Sequence, residues 1–428
     1  MRKIIEKNHH CCGCSACLNV CPKSCIEMQE DEEGFCYPHI NESICIDCGL
    51  CKKTCPVNSE PIPREPIKVL AAQNRNIKYR IKSSSGGIFY LLAERVINEN
   101  GFVFGAAINE YGEVRHVCVD KMSLLDSIIG SKYVQSDIGN SYALVKSLLI
   151  KGKLVLFSGT PCQISGLIKF LNHTYDNLLL VDIICHGVPS PGVFRWYLSE
   201  GIQNLLYKAG ILPKSDIKMI TRIPPQNIID QFKGVNVSNV SFRDKRKGWK
   251  NFSLQFTVAA LNGNETRTMK YSKTKRKDPF LRGFLSNLYL RPSCHDCRFR
   301  NLSSGSDITL GDFWNIGKTL PDYDDNKGTS VVLINSKKGN EIINSLNMRQ
   351  KEIPYSSLCK KGSAICVSPI PSSRRSVFFS SNNYSFSELI DANVTTSIKK
   401  RIIWSIYDFM GAGYFFHKFR FVFKKYPL

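Results

Sequence analysis

The sequence predicts two unequal parts: a small cysteine-rich α+β unit in front and a larger mixed α/β domain with a βαβ unit behind it. Three observations predict this. Two cysteine runs repeat one spacing, Cys11, Cys14, Cys17, Cys21-Pro22 and then Cys45, Cys48, Cys51, Cys55-Pro56. Pro61, Pro63 and Pro66 follow and resist both helix and strand pairing, so they read as a semi-rigid spacer. Further on, apolar stretches at Lys153–Phe157 and Leu178–Ile184 flank a helical stretch at Gln163–Leu171. That is the pattern of two parallel strands joined by a right-handed crossover. We divide the chain into a front unit 1–58, a spacer 59–66, a large domain 67–390 and a basic aromatic tail 391–428.

Each run sets three cysteines two residues apart, which suits three corners of a cubic iron–sulfur cluster, while the fourth precedes proline and points away. In the two-cluster ferredoxin arrangement the distal cysteine serves the opposite cluster. One 4Fe–4S cluster is therefore expected on Cys11, Cys14, Cys17 and Cys55, and a second on Cys45, Cys48, Cys51 and Cys21. Zinc also uses paired C-x2-C, but zinc modules rarely add a third cysteine and repeat the whole run with a terminal Cys-Pro. Cys12, Cys25 and Cys36 fall outside the spacing and are expected to be bystanders.

The 428 residues allow about two to three domains, so most of the chain must serve another purpose. Its 18 cysteines could suggest disulfides in a short secreted protein, but no apolar targeting stretch stands near the start. Reduced thiols in a cytoplasm, in an anaerobic or microaerobic host, are expected instead. The net charge of +22 favours an acidic redox partner, a phosphorylated cofactor, anionic lipid or nucleic acid. No helix-turn-helix, zinc-finger or RNP-type sequence accompanies the charge, so no specific nucleic-acid partner is expected.

Behind the spacer, residues 67–75 read as a strand. Ser83-Ser84-Ser85-Gly86-Gly87 then leads into an apolar helical stripe of Ile88, Leu91, Leu92 and Val96. Small residues at a helix start can present N–H groups to an anion, or simply cap the helix and pack closely. Strands follow at Phe102–Ile108 and Val114–Val119, a polar loop at Gly130–Ser136 and a helix at Asn140–Ile150. Cys162 and Cys185 fall just past the carboxyl ends of the two βαβ strands, the edge where open parallel sheets bind ligands. Val235–Phe242, Phe252–Leu261 and Glu265–Tyr271 alternate as strands, the last two joined at Asn262-Gly263. Between the first two lies the charged loop Arg243–Trp249, either a solvated loop or an anion or ring-stacking site. A helix at Asp278–Leu290 delivers Cys294 and Cys297. One C-x2-C is half a metal site, and Cys162 with Cys185 would complete it. A cluster, a zinc staple and a free dithiol all fit that spacing. A strand enters a turn over Ser306–Trp314, with one more strand at Gly328–Asn335 and a helix at Gly339–Asn347. The tail from Ser397 brackets an apolar run with lysine and arginine, too short and polar for a membrane span but suited to an interfacial helix or to docking.

From about residue 67 to 335 the chain resembles the beta-subunit family of coenzyme F-420 hydrogenase and dehydrogenase, fused to a front two-cluster ferredoxin. The resemblance runs through Ser83–Gly87, Gly130–Ser136, Gly159-Thr160-Pro161-Cys162-Gln163, Cys185-His186-Gly187, Phe242–Lys245 with Gly248-Trp249, Cys294 with Cys297, and Asp307–Trp314. It implies a flavoprotein domain holding FAD and a third 4Fe–4S cluster on Cys162, Cys185, Cys294 and Cys297. It also implies flavin contacts near Ser84, Ser85, Gly86, Gly87, Lys132, Tyr133, Gln135 and Ser136, with Arg243 and Lys245 as further candidates.

The expected function is an oxidoreductase in which clusters carry single electrons and a flavin converts them to the two-electron chemistry of an organic small-molecule substrate. A redox protein or reduced carrier would be the partner. Two other readings stand beside it. One is an electron-transfer subunit serving a separate catalytic chain. The other is a reductase held at a membrane by its tail and acting in surface-polysaccharide metabolism, since many relatives of this fused form lie near such genes.

Overall fold

The computed structural model describes residues 4–5, 8–225, 232, 234–262, 265–359 and 363–394. The front unit is built twice over around a hairpin. It comprises α1 (Ala16–Val20), β1 (Ile26–Glu30), β2 (Cys36–Ile40) and α2 (Leu50–Thr54), with Ile26 opposite Ile40 across the strands. Each short helix starts after a left-handed residue, Ser15 at φ 58° and Gly49 at φ 71°. Left-handed Gly13 and Asp47 precede them at matching positions. Each helix stops on an extended cysteine, Cys21 at φ −71°, ψ 113° and Cys55 at φ −67°, ψ 118°. Proline drives the residue before it out of the helical region, so the Cys-Pro pair ends the helix and turns the thiol away from its own loop.

The large domain runs β3 (Lys68–Asn74), α3 (Ile77–Lys82), α4 (Ile88–Asn98), β4 (Phe102–Ile108), β5 (Val114–Val119), α5 (Ser141–Ile150), β6 (Val155–Gly159), α6 (Pro161–Leu171), β7 (Leu178–Ile183) and α7 (Pro191–Lys208). It continues through β8 (Val235–Asp244), β9 (Ser253–Asn262), β10 (Glu265–Thr274), α8 (Pro279–Leu285), β11 (Ile308–Asp312), α9 (Ile316–Thr319), β12 (Ser330–Ile334), α10 (Lys337–Asn344), β13 (Met348–Glu352), α11 (Arg375–Ser380) and α12 (Phe386–Asn393). Eight strands make one sheet in the order β13-β3-β12-β11-β7-β6-β4-β5, and β8, β9 and β10 make a separate antiparallel sheet. The centre of the large sheet, β11, β7, β6 and β4, is parallel, as the βαβ reading requires, and antiparallel strands flank it.

Alternation along the central strands decides what covers each face. Phe104, Val155, Phe157, Leu178 and Leu180 pack with Cys14, Cys17, Tyr142 and Leu167, so one face is sealed by α5, α6 and the front unit together. Val103, Leu156, Leu179 and Val181 pack on the other side with Leu92 and Val96 of α4. Burying each such side chain is worth roughly 1.5–3 kcal/mol, so the front unit is part of the domain's own core. A third, aromatic core joins α7, the three-stranded sheet, α8, α11 and α12 through Phe194, Tyr197, Phe256, Phe280, Phe378 and Phe386.

Several elements differ from expectation. The crossover helix starts at Pro161, because Thr160 and Gln163 form a reciprocal capping box with proline in the first turn. Cys162 therefore lies inside α6. The helix expected over Asp278–Leu290 ends at Leu285, where Asn287 at φ 56° turns left-handed and the Leu288 amide closes on the Gly283 carbonyl. α3 and β13 are additional. α3 is too short to show a period, and β13 buries only Met348 at the sheet edge. Asn262 and Glu265 do pair across the expected hairpin, while Gly263 lies outside the described residues. The expected boundary after residue 390 falls inside α12, and the tail from 395 onward lies outside the described residues. Among the described residues no helix is long and apolar enough to cross a membrane.

Candidate functional site

Each run's distal cysteine lies beside the first three of the other run. Cys55 from the second run acts electrostatically on Cys14 and Cys17, and Cys11 in turn acts on Cys55. Burial raises the thiol pKa values of Cys17 and Cys55. Cys21 from the first run joins Cys45, Cys48 and Cys51 around a second cavity of about 100 Å³. Cys25, expected as a bystander, lines the second cavity, its sulfur 3.4 Å from that of Cys21.

A larger cavity of about 270 Å³ opens between the front unit and the sheet edge, lined by Cys162, Cys185, Cys294 and Cys297. Cys162 comes from the first turn of α6, Cys185 from just past β7, and the other two from the segment after α8. Their mutual electrostatic influence marks them as one group. The Cys12 thiol and burial raise the pKa of Cys162. Burial raises Cys185 and Cys297 and pushes Cys294 up to about 12. Four thiols here cannot ionise together without a compensating cation, which a bound metal centre supplies. The Val188 amide donates to the Cys294 sulfur at 3.4 Å. Among the described residues no three His, Cys, Asp or Glu side chains converge on a single ion. A cuboidal cluster holds its thiolates further apart than one ion does.

Sequence reasoning missed four groups around this cavity. Cys12, expected as a bystander, lines it. Arg300 fastens its rim, donating to the carbonyls of Cys185, His186 and Ala364. Asp182 lies in its wall, accepting from Ser304 Oγ at 2.6 Å, and burial raises its pKa to about 6. Arg291 is 1% exposed and binds the front unit. It donates to the Cys11 carbonyl at 2.7 Å, the Cys36 carbonyl at 2.9 Å and Gln135 Oε1 at 2.9 Å, and its guanidinium lies 4.3 Å from the Tyr37 ring centre. Only its place three residues before Cys294 hinted at a role.

The candidate flavin contacts separate into two groups. Ser84 Oγ accepts from the Ser131 amide at 2.6 Å, Ser85 Oγ donates to the Thr329 carbonyl at 2.8 Å, and the Gly86 amide donates to Ser330 Oγ at 2.9 Å. A Cβ on Gly86 would stand 2.3 Å from the Ala72 carbonyl oxygen, and Gly87 opens α4 at φ 82°. Lys245 ties this segment down, donating to the carbonyls of Arg80, Ser85 and Lys327 at 3.0, 2.8 and 2.8 Å. Lys132 donates to the carbonyls of Ser127 and Ile129, both at 3.0 Å. Burial lowers the pKa of both lysines to about 7. Tyr133 packs on Phe284, and the Arg243 guanidinium lies against both Phe252 and Trp314 while pairing with Asp312 at 2.5 Å. The Nε and Nη2 of Arg243 are buried donors with no hydrogen-bond partner among the described residues, an opening for an acceptor such as a cofactor oxygen.

Gln135 and Ser136 face the other way. Gln135 Nε2 donates to the Cys12 carbonyl at 2.9 Å, clamping the front unit. Ser136 Oγ lies 3.0 Å from His116 Nδ1 and accepts from Gln163 Nε2 at 3.0 Å.

With this geometry in hand, residues 10–59 match the 4Fe-4S dicluster domain, and residues 152–206 and 225–354 match the C-terminal domain of the coenzyme F420 hydrogenase/dehydrogenase beta subunit. The second match runs beyond residue 335, where the resemblance was expected to end. The front unit is 40% identical over 65 residues to a 7Fe ferredoxin of Hydrogenibacillus schlegelii, covering 14% of this chain and 77% of the relative. An uncharacterised protein of Methanocaldococcus jannaschii is 24% identical over 211 residues, covering 42% of this chain and 57% of the relative. Among solved structures, a chain of the F420-reducing NiFe hydrogenase complex of Methanosarcina barkeri aligns over 81% of this chain and 94% of its own length, at 16% identity and a TM-score of 0.38. By its two domain matches the chain is an iron–sulfur electron-transfer protein of an oxidoreductase family. It carries a C-terminal domain of the coenzyme F420 hydrogenase/dehydrogenase beta-subunit type behind a 4Fe-4S dicluster unit.

Proposed function

We propose that the chain is an iron–sulfur flavoprotein oxidoreductase that exchanges electrons with a redox protein or carrier on one side and an organic small molecule on the other. The observation that carries this reading is the convergence of Cys162, Cys185, Cys294 and Cys297, from three separated segments, on one buried cavity against the front unit. Eight front cysteines would hold two 4Fe–4S clusters and these four a third, while FAD would take the region of Ser84–Gly87, Lys132, Tyr133, Arg243 and Lys245. Bound there, the clusters supply single-electron storage and the flavin supplies conversion to two-electron chemistry.

The chain's own residues have separable tasks in this reading. Lys245 ties the 80s loop to the segment before β12, Arg243 offers its two unpartnered donors to the cofactor, and Arg291 with Gln135 fixes the front unit over the cavity. The exposed Cys48, flanked in sequence by exposed Ile44, Ile46 and Leu50, gives a partner protein access to the second front set. That access also favours the second reading, an electron-transfer subunit serving a separate catalytic chain. Anaerobic purification followed by metal analysis and flavin extraction tests the proposal. About twelve irons per chain and one extractable flavin are expected. Zinc without flavin would end it, and turnover by the isolated chain would decide against the subunit reading.

A further inference from the structure

Two consecutive residues face two different sites. Cys11 belongs to the first front set, while Cys12 lines the cavity of Cys162, Cys185, Cys294 and Cys297. Cys12 and Cys162 line the same cavity, and both pack in one core with Cys14. Cys12 thus reaches the cavity from the front unit, next in the chain to a member of the first front set. The dipeptide is held at both carbonyls: Arg291 Nε donates to that of Cys11 at 2.7 Å and Gln135 Nε2 to that of Cys12 at 2.9 Å. Helix α6 closes the gap from the other side. It carries Cys162 in its first turn, and one turn later Gly166 leaves a notch in which an added Cβ would stand 2.9 Å from the Cys14 sulfur. The second front set has a different surrounding, opening to the surface at Cys48.

Resting on the three-cluster reading above, we propose that Cys12 is the bridge between the front unit and the cavity site. One electron leaves the centre held by Cys11, Cys14, Cys17 and Cys55 along the Cys11–Cys12 peptide. It crosses from the Cys12 sulfur to that of Cys162 and enters the centre held by the cavity quartet. The first centre is oxidised by one electron as the second is reduced by one, and no proton or further reactant is required. The second front set supplies the first and forms the outer end of the route. Cys12 is thus a positioning and coupling residue and not a ligand.

The test uses the full chain, purified anaerobically, as wild type, Cys12→Ala and Cys12→Ser. Iron content, the reduction potentials of the three centres by EPR-monitored titration, and the rate at which the cavity centre is reduced after rapid mixing with dithionite would be measured, the last by freeze-quench EPR. Both variants are expected to keep about twelve irons and unchanged potentials, while reduction of the cavity centre slows several-fold in Cys12→Ala. Serine preserves the shape and keeps the test alive if alanine loosens the junction. Unchanged rates in both variants would overturn the bridge, and a fall to about eight irons in the variants alone would make Cys12 a ligand and overturn it too. About eight irons in the wild type would instead remove the third centre, and the bridge with it.

Discussion

The two front cysteine sets share a spacing, a pair of left-handed turns and a Cys-Pro stop, yet they occupy opposite environments. Cys14 and Cys17 are buried in the core that covers the central sheet, whereas Cys48 is exposed and its neighbours Ile44, Ile46 and Leu50 face solvent. Sequence symmetry thus produces two cysteine sets of one spacing, and packing buries one while leaving the other open to solvent. Burial and hydrogen bonding tune the potential of an iron–sulfur centre, so two like ligand sets need not hold electrons equally.

The strongest way to break this comparison is to remove one ligand from each set. Cys17→Ser should cost the first set its iron and destabilise the whole chain by on the order of several kcal/mol, since metal binding energy there is folding energy. Cys48→Ser should lose iron from the second set with a much smaller fall in Tm. Equal falls in calorimetry would refute the inner and outer distinction. Next in size, Arg291→Met leaves the carbonyls of Cys11 and Cys36 and the Gln135 amide oxygen without their buried donor. A loss of about 3–5 kcal/mol is expected, read by urea unfolding, with faster proteolysis in the spacer 59–66.

A control lies in the aromatic core, which contains none of the front-set cysteines. Asp278 caps α8 and accepts from Tyr197 and Tyr271 at 2.8 and 3.0 Å, and burial raises its pKa to about 6. The folded state then binds this proton more tightly than the unfolded one, so stability falls as pH rises from about 4 to 6. Asp278→Asn should flatten that slope by up to about 3 kcal/mol in urea titrations at pH 4.5 and 8, equally with and without iron. The smallest effect separates two glycines. Gly13→Ala and Gly49→Ala both strain a left-handed residue by about 1–2 kcal/mol. At Gly13 the new methyl would also stand 2.6 Å from Gln135 Nε2 and 2.9 Å from Arg291 Nη1, whereas at Gly49 it meets nothing. An extra loss of about 1–3 kcal/mol at Gly13 is expected in Tm, and its absence would mean the junction yields freely.

What could be read from the sequence was local in origin. Cysteine spacing marked the dicluster unit at the front, and apolar runs with turn residues marked the parallel centre of the sheet and the rim where Cys162, Cys185, Cys294 and Cys297 line one cavity. What escaped depended on tertiary packing. Nothing in the neighbourhood of Cys12 distinguishes a thiol aimed at the large domain from a spare one. The work of Arg291 is done on carbonyls of Cys11 and Cys36, far away in the chain, and its own segment shows only a basic residue before proline. Gln135 and Ser136 stand next to Lys132 and Tyr133 in sequence, but the chain turns so that the pairs serve opposite faces.

The hydrogen-bonded line from His116 through Ser136 to Gln163 has a consequence for how such a chain can drift. Burial lowers the pKa of His116 to about 4, so the ring stays neutral, donates through Nε2 to the Ser158 carbonyl and accepts at Nδ1 from Ser136. Ser136 accepts in turn from Gln163, whose oxygen accepts from the Thr160 amide and so caps the helix bearing Cys162. A change at any of these positions reverses a donor or strands an acceptor at the next. Related sequences should therefore exchange residues 116, 136 and 163 together, as one inherited unit.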